Sequence, residues 1–161
     1  MLITDPLSPS VNSYATVDNL RQFAVARGYS LPEDDTACEE LLTVAMDYLE
    51  GMSWHGQRTS ENQPLSWPRR GVMFDGVALS PDTVPGRLVD AQCRLAVEAQ
   101  TVDLQPTLNG GENILSESIA GAISVSYNPD SAGELPSFPW LDTLLRGMVR
   151  SNGINFDVIR G

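Results

Sequence analysis

Residues 36–51, Thr36-Ala-Cys-Glu-Glu-Leu-Leu-Thr-Val-Ala-Met-Asp-Tyr-Leu-Glu-Gly51, carry the clearest structural pattern in the chain. Their apolar residues recur three and four positions apart, which is the spacing of one face of an α-helix. Thr36 followed by Glu39 is a capping box and predicts the start of the helix, and Gly51 predicts its end. The stretch therefore predicts an amphipathic helix with a wide buried stripe, made of Leu41, Leu42, Ala45, Tyr48, Leu49 and Met52.

Three further segments have helical spacing. Thr16 predicts the N-cap of a helix that ends at Gly28, and Pro85 is placed to open another helix in its first turn. Pro139 predicts a last helix within residues 138–150. The predicted fold class is mainly α: a small bundle of three to four helices with a β-hairpin and extended terminal arms.

On the helix that begins at Pro85, Asp90 and Arg94 are four residues apart. This spacing predicts an ion pair worth a few tenths of a kcal/mol. The residues predicted to be buried on this helix are Leu88, Ala91, Leu95, Ala99 and Val102.

Two segments change to the period of two that is typical of strands. One predicts a hairpin over residues 114–128, and the other is the C-terminal tail, residues 151–161. We expect both, together with an N-terminal arm over residues 1–13, to pair with neighbouring chains, because unpaired strand edges often do so. The apolar residues expected at these contacts are Ile123, Val125 and Tyr127 in the hairpin and Ile154, Phe156 and Val158 in the tail.

The chain is predicted to form a single domain over residues 1–161, with a helical core over residues 14–105. Within the core, residues 53–84 show no usable period and predict a long loop. A loop of this length is uncommon in a compact domain and is usually functional or docked onto a partner.

The charge of the 161-residue chain is strongly negative, with 21 acidic and 10 basic residues and a net charge of −11. All ten basic residues are arginine. This balance weighs against nucleic-acid binding, which requires clustered cations. Residues 1–10 lack the pattern of a signal peptide and no run is long enough to span a membrane, so we expect a soluble, intracellular, acidic domain.

Residue types that support catalysis are scarce. The two cysteines, Cys38 and Cys93, lie in helical stretches and fit no zinc pattern, and the single histidine, His55, has no nucleophile-elbow context. Without lysine there is no P-loop lysine or Schiff base. We predict no catalytic residue, no metal site and no cofactor, and therefore no enzyme.

The long loop contains the strongest interface candidates. Trp54, Arg58 and Trp67 are aromatic and arginine residues of the kind enriched in interface hot spots. The alternative is that both tryptophans fold back and cap the core beside the second helix. Arg69 and Arg70 either bind carboxylates of a partner or are simply solvated.

The same loop carries a resemblance. The motif Trp54-His-Gly56-Gln-Arg58, continued by Gln63-Pro-Leu65-Ser-Trp67-Pro68-Arg69-Arg70-Gly71, resembles a family of bacteriophage proteins often labelled DnaT-like single-stranded-DNA-binding proteins. Members of this family resemble the head-tail connector, or adaptor, proteins of tailed phages.

The resemblance implies a structural protein of the virion neck. It implies a ring, usually of twelve copies, that binds the portal protein and offers a platform to the next neck, stopper or tail-terminator protein. Double-stranded DNA would pass through the ring without specific binding, and the net charge would make the lumen acidic and repulsive to the duplex. The expected location is the virion neck, with the host cytoplasm before assembly.

The family label supplies the alternative function, single-stranded-DNA binding in phage replication. This function needs a basic groove with stacking aromatic residues. Arg58, Arg69 and Arg70 lie in one loop with tryptophans and predict at most a small patch of that kind. The net charge of −11 favours the adaptor over this alternative.

Overall fold

The computed structural model describes residues 1–107 and 136–150. Within these ranges it contains four α-helices and two short β-hairpins, so the predicted fold class, mainly α with a hairpin, is confirmed. The helices are α1 (Val17–Arg27), α2 (Asp35–Glu50), α3 (Gly86–Glu98) and α4 (Pro139–Leu144).

The two hairpins lie where the sequence predicted a loop without regular structure. Strands β1 (Gln57–Arg58) and β2 (Arg69–Arg70) pair antiparallel, and so do β3 (Met73–Phe74) and β4 (Val77–Ala78). Each strand has two residues, which is too short to produce a recognisable period of two.

Some predicted elements lie outside the described residues. They are the hairpin over residues 114–128, with Ile123, Val125 and Tyr127, and the tail over residues 151–161, with Ile154, Phe156 and Val158.

Helices α1, α2 and α3 pack together around one hydrophobic core, and α4 packs against α3. The apolar stripe predicted for α2 is buried at Leu42, Ala45 and Leu49. The core side chains facing these from the other helices include Leu20, Leu88, Ala91, Leu95 and Leu141.

The ends of α1 follow the prediction. Thr16 is the N-cap and forms a reciprocal capping box with Asn19. Gly28 ends the helix with φ +74°, a left-handed conformation that glycine adopts without steric cost.

The start of α2 differs from the prediction. The N-cap is Asp34, whose carboxylate accepts a hydrogen bond from the Ala37 backbone N–H at 3.1 Å. The prediction of a capping box that starts at Thr36 is therefore wrong. Asp34 and Thr36 are both good N-cap residues, and the earlier one adds two residues to the helix. Pro85 is the N-cap of α3, so this helix begins at Gly86, one residue later than predicted.

Helix α4 ends six residues before the predicted end at residue 150. The chain turns at Gly147, where φ is +82°. It then pairs with the segment after α2, because the Val149 backbone bridges Trp54 and the Arg150 N–H donates to the Ser53 carbonyl at 2.8 Å. These tertiary hydrogen bonds replace the helical ones.

The N-terminal arm lies against its own domain. The Ile3 backbone N–H donates to Asn12 Oδ1 at 2.8 Å, and the N-terminal amine pairs with Glu39 at 3.0 Å. Val11 is buried in the core. The arm therefore contributes to the fold of its own chain, and the predicted contact of these residues with a neighbouring chain stays a prediction.

Candidate functional site

The two tryptophans of the 53–84 segment are core residues. Trp54 is 5% exposed and Trp67 is 1% exposed, and their rings meet edge to face with centroids 5.6 Å apart. This placement agrees with the interpretation in which they cap the core. As placed, neither ring offers a surface for an external ligand to stack on.

A half-buried carboxylate anchors this segment to the helices. Glu50, at the end of α2, accepts hydrogen bonds from the Ser66 backbone N–H at 3.0 Å and from the Tyr14 hydroxyl at 2.6 Å. Burial, followed by the charge of Glu50, raises the pKa of Tyr14 well above its ordinary value. The Tyr14 hydroxyl therefore stays protonated and keeps donating to Glu50.

The arginines of the segment have different environments. Arg69 donates to the carbonyls of His55 at 2.7 Å, Gly56 at 2.9 Å and Ser66 at 3.1 Å, and burial lowers the pKa of its guanidinium. The Arg69 side chain therefore stabilises the 53–84 segment through its hydrogen bonds to backbone carbonyls.

The other two arginines, Arg58 and Arg70, are exposed on the β1–β2 hairpin. Arg58 makes one long hydrogen bond, 3.3 Å to the Gln63 carbonyl. Because the neighbouring Trp54 and Trp67 are buried, this surface offers two cations without a stacking platform. The predicted interface role of these residues is not tested by the fold and stays a prediction.

A second cationic surface lies where α1, α3 and α4 enclose an open groove of about 450 Å³. We call this the Arg groove. It is lined by Phe23, Arg27, Arg87, Asp90, Arg94, Trp140, Thr143 and Leu144.

Helical periodicity brings these residues to one groove. Phe23 and Arg27 are four residues apart on α1, so they share a face of that helix. Arg87 and Arg94 are two turns apart on α3, and Trp140 lies in the first turn of α4. Each helix therefore presents one face to the groove.

The groove arginines stack on aromatic rings. The Arg27 guanidinium lies 3.9 Å from the centroid of the Phe23 ring. The Arg94 guanidinium lies 4.7 Å from the Trp140 centroid and 5.3 Å from the Tyr29 centroid. Stacking of this kind fixes the planar guanidinium while leaving its N–H groups at the edge for an anion.

The cationic surface continues to the β3–β4 hairpin. Arg87 lies over the Phe74 ring at 4.2 Å and donates to the Leu144 carbonyl at 3.2 Å. Arg146 lies over the same ring at 5.1 Å and pairs with Asp75 at 3.2 Å. Arg87 therefore links the groove to the hairpin.

The ion pair predicted on α3 is wrong. Arg94 pairs with Glu98, one turn later, at 3.1 Å, and not with Asp90. Asp90 and Glu98 are both four residues from Arg94. The Arg94 guanidinium that pairs with Glu98 also stacks on the Tyr29 and Trp140 rings. Within residues 1–107 and 136–150, Asp90 has no salt bridge or side-chain hydrogen bond.

Sequence reasoning missed this groove because its residues are scattered over more than a hundred positions. Each helix carried a partial signal: the Phe23–Arg27 spacing, the Arg87–Arg94 spacing, and Trp140 beside Pro139. Only packing places these three faces together.

Other classes of site are not evident in the described part of the chain. Residues 1–107 and 136–150 contain no group of three or more His, Cys, Asp or Glu side chains that could hold a metal ion. In the same ranges no helix combines the length and apolar character needed to cross a membrane. That the chain needs no metal or cofactor and is not an enzyme stays a prediction.

The structure is a small, mainly helical domain with an open groove lined by three arginines and a partly exposed tryptophan. The chain belongs to the family described as "Putative DnaT-like ssDNA binding protein", whose sequence model matches residues 1–161. No match was found among the curated proteins or among the solved structures.

The family match corrects the adaptor prediction. It supports the single-stranded-DNA alternative, and nothing in the comparisons supports a portal-bound ring of twelve copies, a neck, stopper or tail-terminator partner, or a channel for double-stranded DNA. The sequence analysis used the net charge of −11 against the single-stranded-DNA alternative, whereas packing places Arg27, Arg87 and Arg94 in one groove. The predicted location in the virion neck is not tested by any comparison.

Proposed function

We propose that this protein binds single-stranded DNA in the Arg groove, as a binding protein and not as an enzyme. The observation that carries the proposal is that Arg27, Arg87 and Arg94 line one open groove together with the partly exposed Trp140. The description of its family points to the same ligand.

The groove has the two features that single-strand binding requires. Arginine guanidinium groups bind phosphate oxygens through paired N–H donors. An accessible aromatic face stacks on an unpaired base, which contributes about 1–3 kcal/mol per base. Trp140 packs on Phe138, with centroids 5.6 Å apart, so its ring is held in place before a base arrives.

The net charge is compatible with binding because the acidic residues are not concentrated in the groove. The groove lining contains three arginines and one acidic residue, Asp90, and one of the arginines, Arg94, is paired with Glu98. At physiological salt the Debye length is about 8 Å, so more distant carboxylates are largely screened. The groove arginines can therefore attract phosphate groups although the whole chain is strongly acidic.

The experiment that tests the proposal compares matched arginine variants. Arg27→Gln removes a groove cation from α1, and Arg21→Gln removes a cation from the same helix outside the groove lining. Affinity for a labelled single strand is measured by fluorescence anisotropy across a salt series, with the melting temperature of each variant as a folding control.

Arg94 is paired with Glu98, so Arg27 and Arg87 are the groove arginines without a salt bridge among the described residues. For the wild type, two phosphate contacts predict a slope of log K against log salt near −1.4, or roughly a 7-fold loss between 50 and 200 mM salt. Arg27→Gln is expected to weaken binding several-fold and to reduce the slope by about 0.7, whereas Arg21→Gln leaves both close to wild type. Binding without salt dependence, or no binding, contradicts the proposed function.

A second comparison locates the site. Arg70→Gln removes an exposed cation of the β1–β2 hairpin, where the sequence predicted a patch. If Arg70→Gln weakens binding more than Arg27→Gln does, the DNA binds the hairpin and the Arg groove assignment is wrong. Quenching of the Trp140 fluorescence, absent in Trp140→Phe, is the expected sign of stacking in the groove.

A further inference from the structure

The acidic residue of the Arg groove, Asp90, needs an explanation. It lies on α3 three residues after Arg87 and four before Arg94, and its side chain is half-buried in the groove wall. Arg94 is already paired with Glu98 at 3.1 Å. In the part of the chain that the structure describes, Asp90 forms no salt bridge, although Arg27, Arg87 and Arg94 line the same groove.

A carboxylate at this position disfavours phosphate, because like charges repel. A neutral residue would give a more basic groove and tighter non-specific binding. An ionised carboxylate accepts hydrogen bonds and donates none. The favourable contact it can offer a nucleic acid is therefore to N–H groups on the edge of a base.

The four bases differ in what they present to such an acceptor. Guanine has a ring N–H and an amino group side by side, which match the two oxygens of one carboxylate. Adenine and cytosine have an amino group beside a ring nitrogen that also accepts, and thymine has one N–H between two carbonyl oxygens. A carboxylate therefore favours guanine and repels the carbonyl edge of thymine.

We infer that Asp90 is a specificity-determining residue that selects guanine in a single strand bound in the Arg groove; this inference rests on the proposed function. Trp140 stacks on the bases without distinguishing them, and the arginines bind the sequence-independent phosphates. Asp90 supplies the selection at some cost in affinity for other sequences.

The test measures the affinities of three short strands: all thymine, alternating thymine and guanine, and alternating thymine and hypoxanthine, which lacks the amino group of guanine. The proteins are the wild type, Asp90→Asn, and Asp47→Asn as the matched control. Asp47 is an exposed carboxylate of α2, outside the groove lining, and its substitution changes the net charge by the same amount.

The wild type and Asp47→Asn are expected to bind the guanine strand roughly tenfold more tightly than the thymine strand, with the hypoxanthine strand between them. Asp90→Asn is expected to lose most of this ratio and to bind the thymine strand more tightly. Retention of the wild-type ratio by Asp90→Asn overturns the inference.

The outcomes also separate this inference from the proposed function. If Asp90→Asn tightens binding of all three strands equally, Asp90 acts only as a charge and the guanine preference is refuted. If Arg27→Gln still weakens binding in that case, the proposed function stands. If the wild type binds none of the strands, both fail.

Discussion

At the scale of single residues, Gln92 joins distant parts of the chain. Its side chain is fully buried on α3. Its carbonyl oxygen accepts from the backbone N–H groups of Tyr14 at 2.9 Å and Ala15 at 2.8 Å, and its amide donates to Ser13 Oγ and the Leu42 carbonyl. One side chain therefore ties the entry to α1 onto α2 and α3.

Replacement of this side chain is expected to be costly. Gln92→Leu keeps the volume but leaves the Tyr14 N–H without a partner among the described residues, so we expect the free energy of unfolding to fall by about 3 kcal/mol. Gln22→Leu, on the exposed face of α1, is the control and is expected to change it by less than about 0.5 kcal/mol. Urea denaturation measures both, and equal effects would contradict the role of Gln92.

A second residue-scale prediction concerns alkaline pH. Burial, with a smaller contribution from the charge of Asp90, raises the pKa of the Cys93 thiol from 9.0 to about 12. Above pH 9 the unfolded chain loses this proton while the folded protein keeps it, so the free energy of unfolding falls as pH rises towards 12.

The expected loss from Cys93 between about pH 8 and pH 10 is about 1.3 kcal/mol. Cys93→Ala removes this contribution, so its stability is expected to fall less over the same interval. Tyr14, whose pKa is also raised, contributes equally to both proteins. The same pH dependence in wild type and variant would show that the Cys93 thiol ionises normally when folded.

At the scale of elements, the β1–β2 hairpin depends on a close backbone approach at Gly56. Here φ is +73°, and a Cβ atom would meet the Arg70 carbonyl oxygen and would lie 2.7 Å from Val72 Cγ2. The same segment is held by Arg69, which donates to the Gly56 carbonyl at 2.9 Å. Only glycine satisfies both the conformation and the space.

Substitutions at Gly28 and Gly56 separate the cost of the positive φ from the cost of the steric clash. Gly28 has φ +74° and open space, since a Cβ atom added there would meet nothing within 4 Å, so Gly28→Ala is expected to cost about 1 kcal/mol from conformation alone. Gly56→Ala adds the steric clash and is expected to cost at least about 2 kcal/mol more. Thermal unfolding of both variants tests the difference, and equal costs would mean that β2 moves aside freely.

At the scale of the whole molecule, charge is segregated. The chain has a net charge of −11, yet the Arg groove presents Arg27, Arg87 and Arg94 on one face. The net charge therefore repels DNA at long range, whereas the proposed arginine–phosphate contacts act at short range. The two effects have different ranges and respond differently to salt.

This segregation predicts unusual association kinetics. From about 10 to 100 mM salt the Debye length falls from about 30 to 10 Å, which screens the net repulsion. The association rate constant with single-stranded DNA is therefore expected to rise over this interval, while the dissociation rate constant also rises because arginine–phosphate contacts weaken. Stopped-flow fluorescence measures both. An association rate that falls with salt would show that the groove alone governs the encounter.

Elements that depend on interactions between residues close in sequence were predictable, and those that depend on distant residues were not. The helices α1, α2 and α3 were recognisable because periodicity and caps such as Thr16 are local. The end of α4 was missed because it depends on the pairing of Val149 with Trp54, almost a hundred residues away. The start of α2 was missed by two residues because Asp34 and Thr36 are both competent caps.

Residue type and short-range spacing were enough to set the helical class, the buried stripe of α2 and the charge of −11. Tertiary structure decided that Trp54 and Trp67 belong to the core and that Trp140 faces a groove with three arginines. It also decided that Arg94 pairs with Glu98 and leaves Asp90 facing the groove. The reason is physical: burial and groove formation depend on which helix faces meet, and spacing along the chain does not specify that.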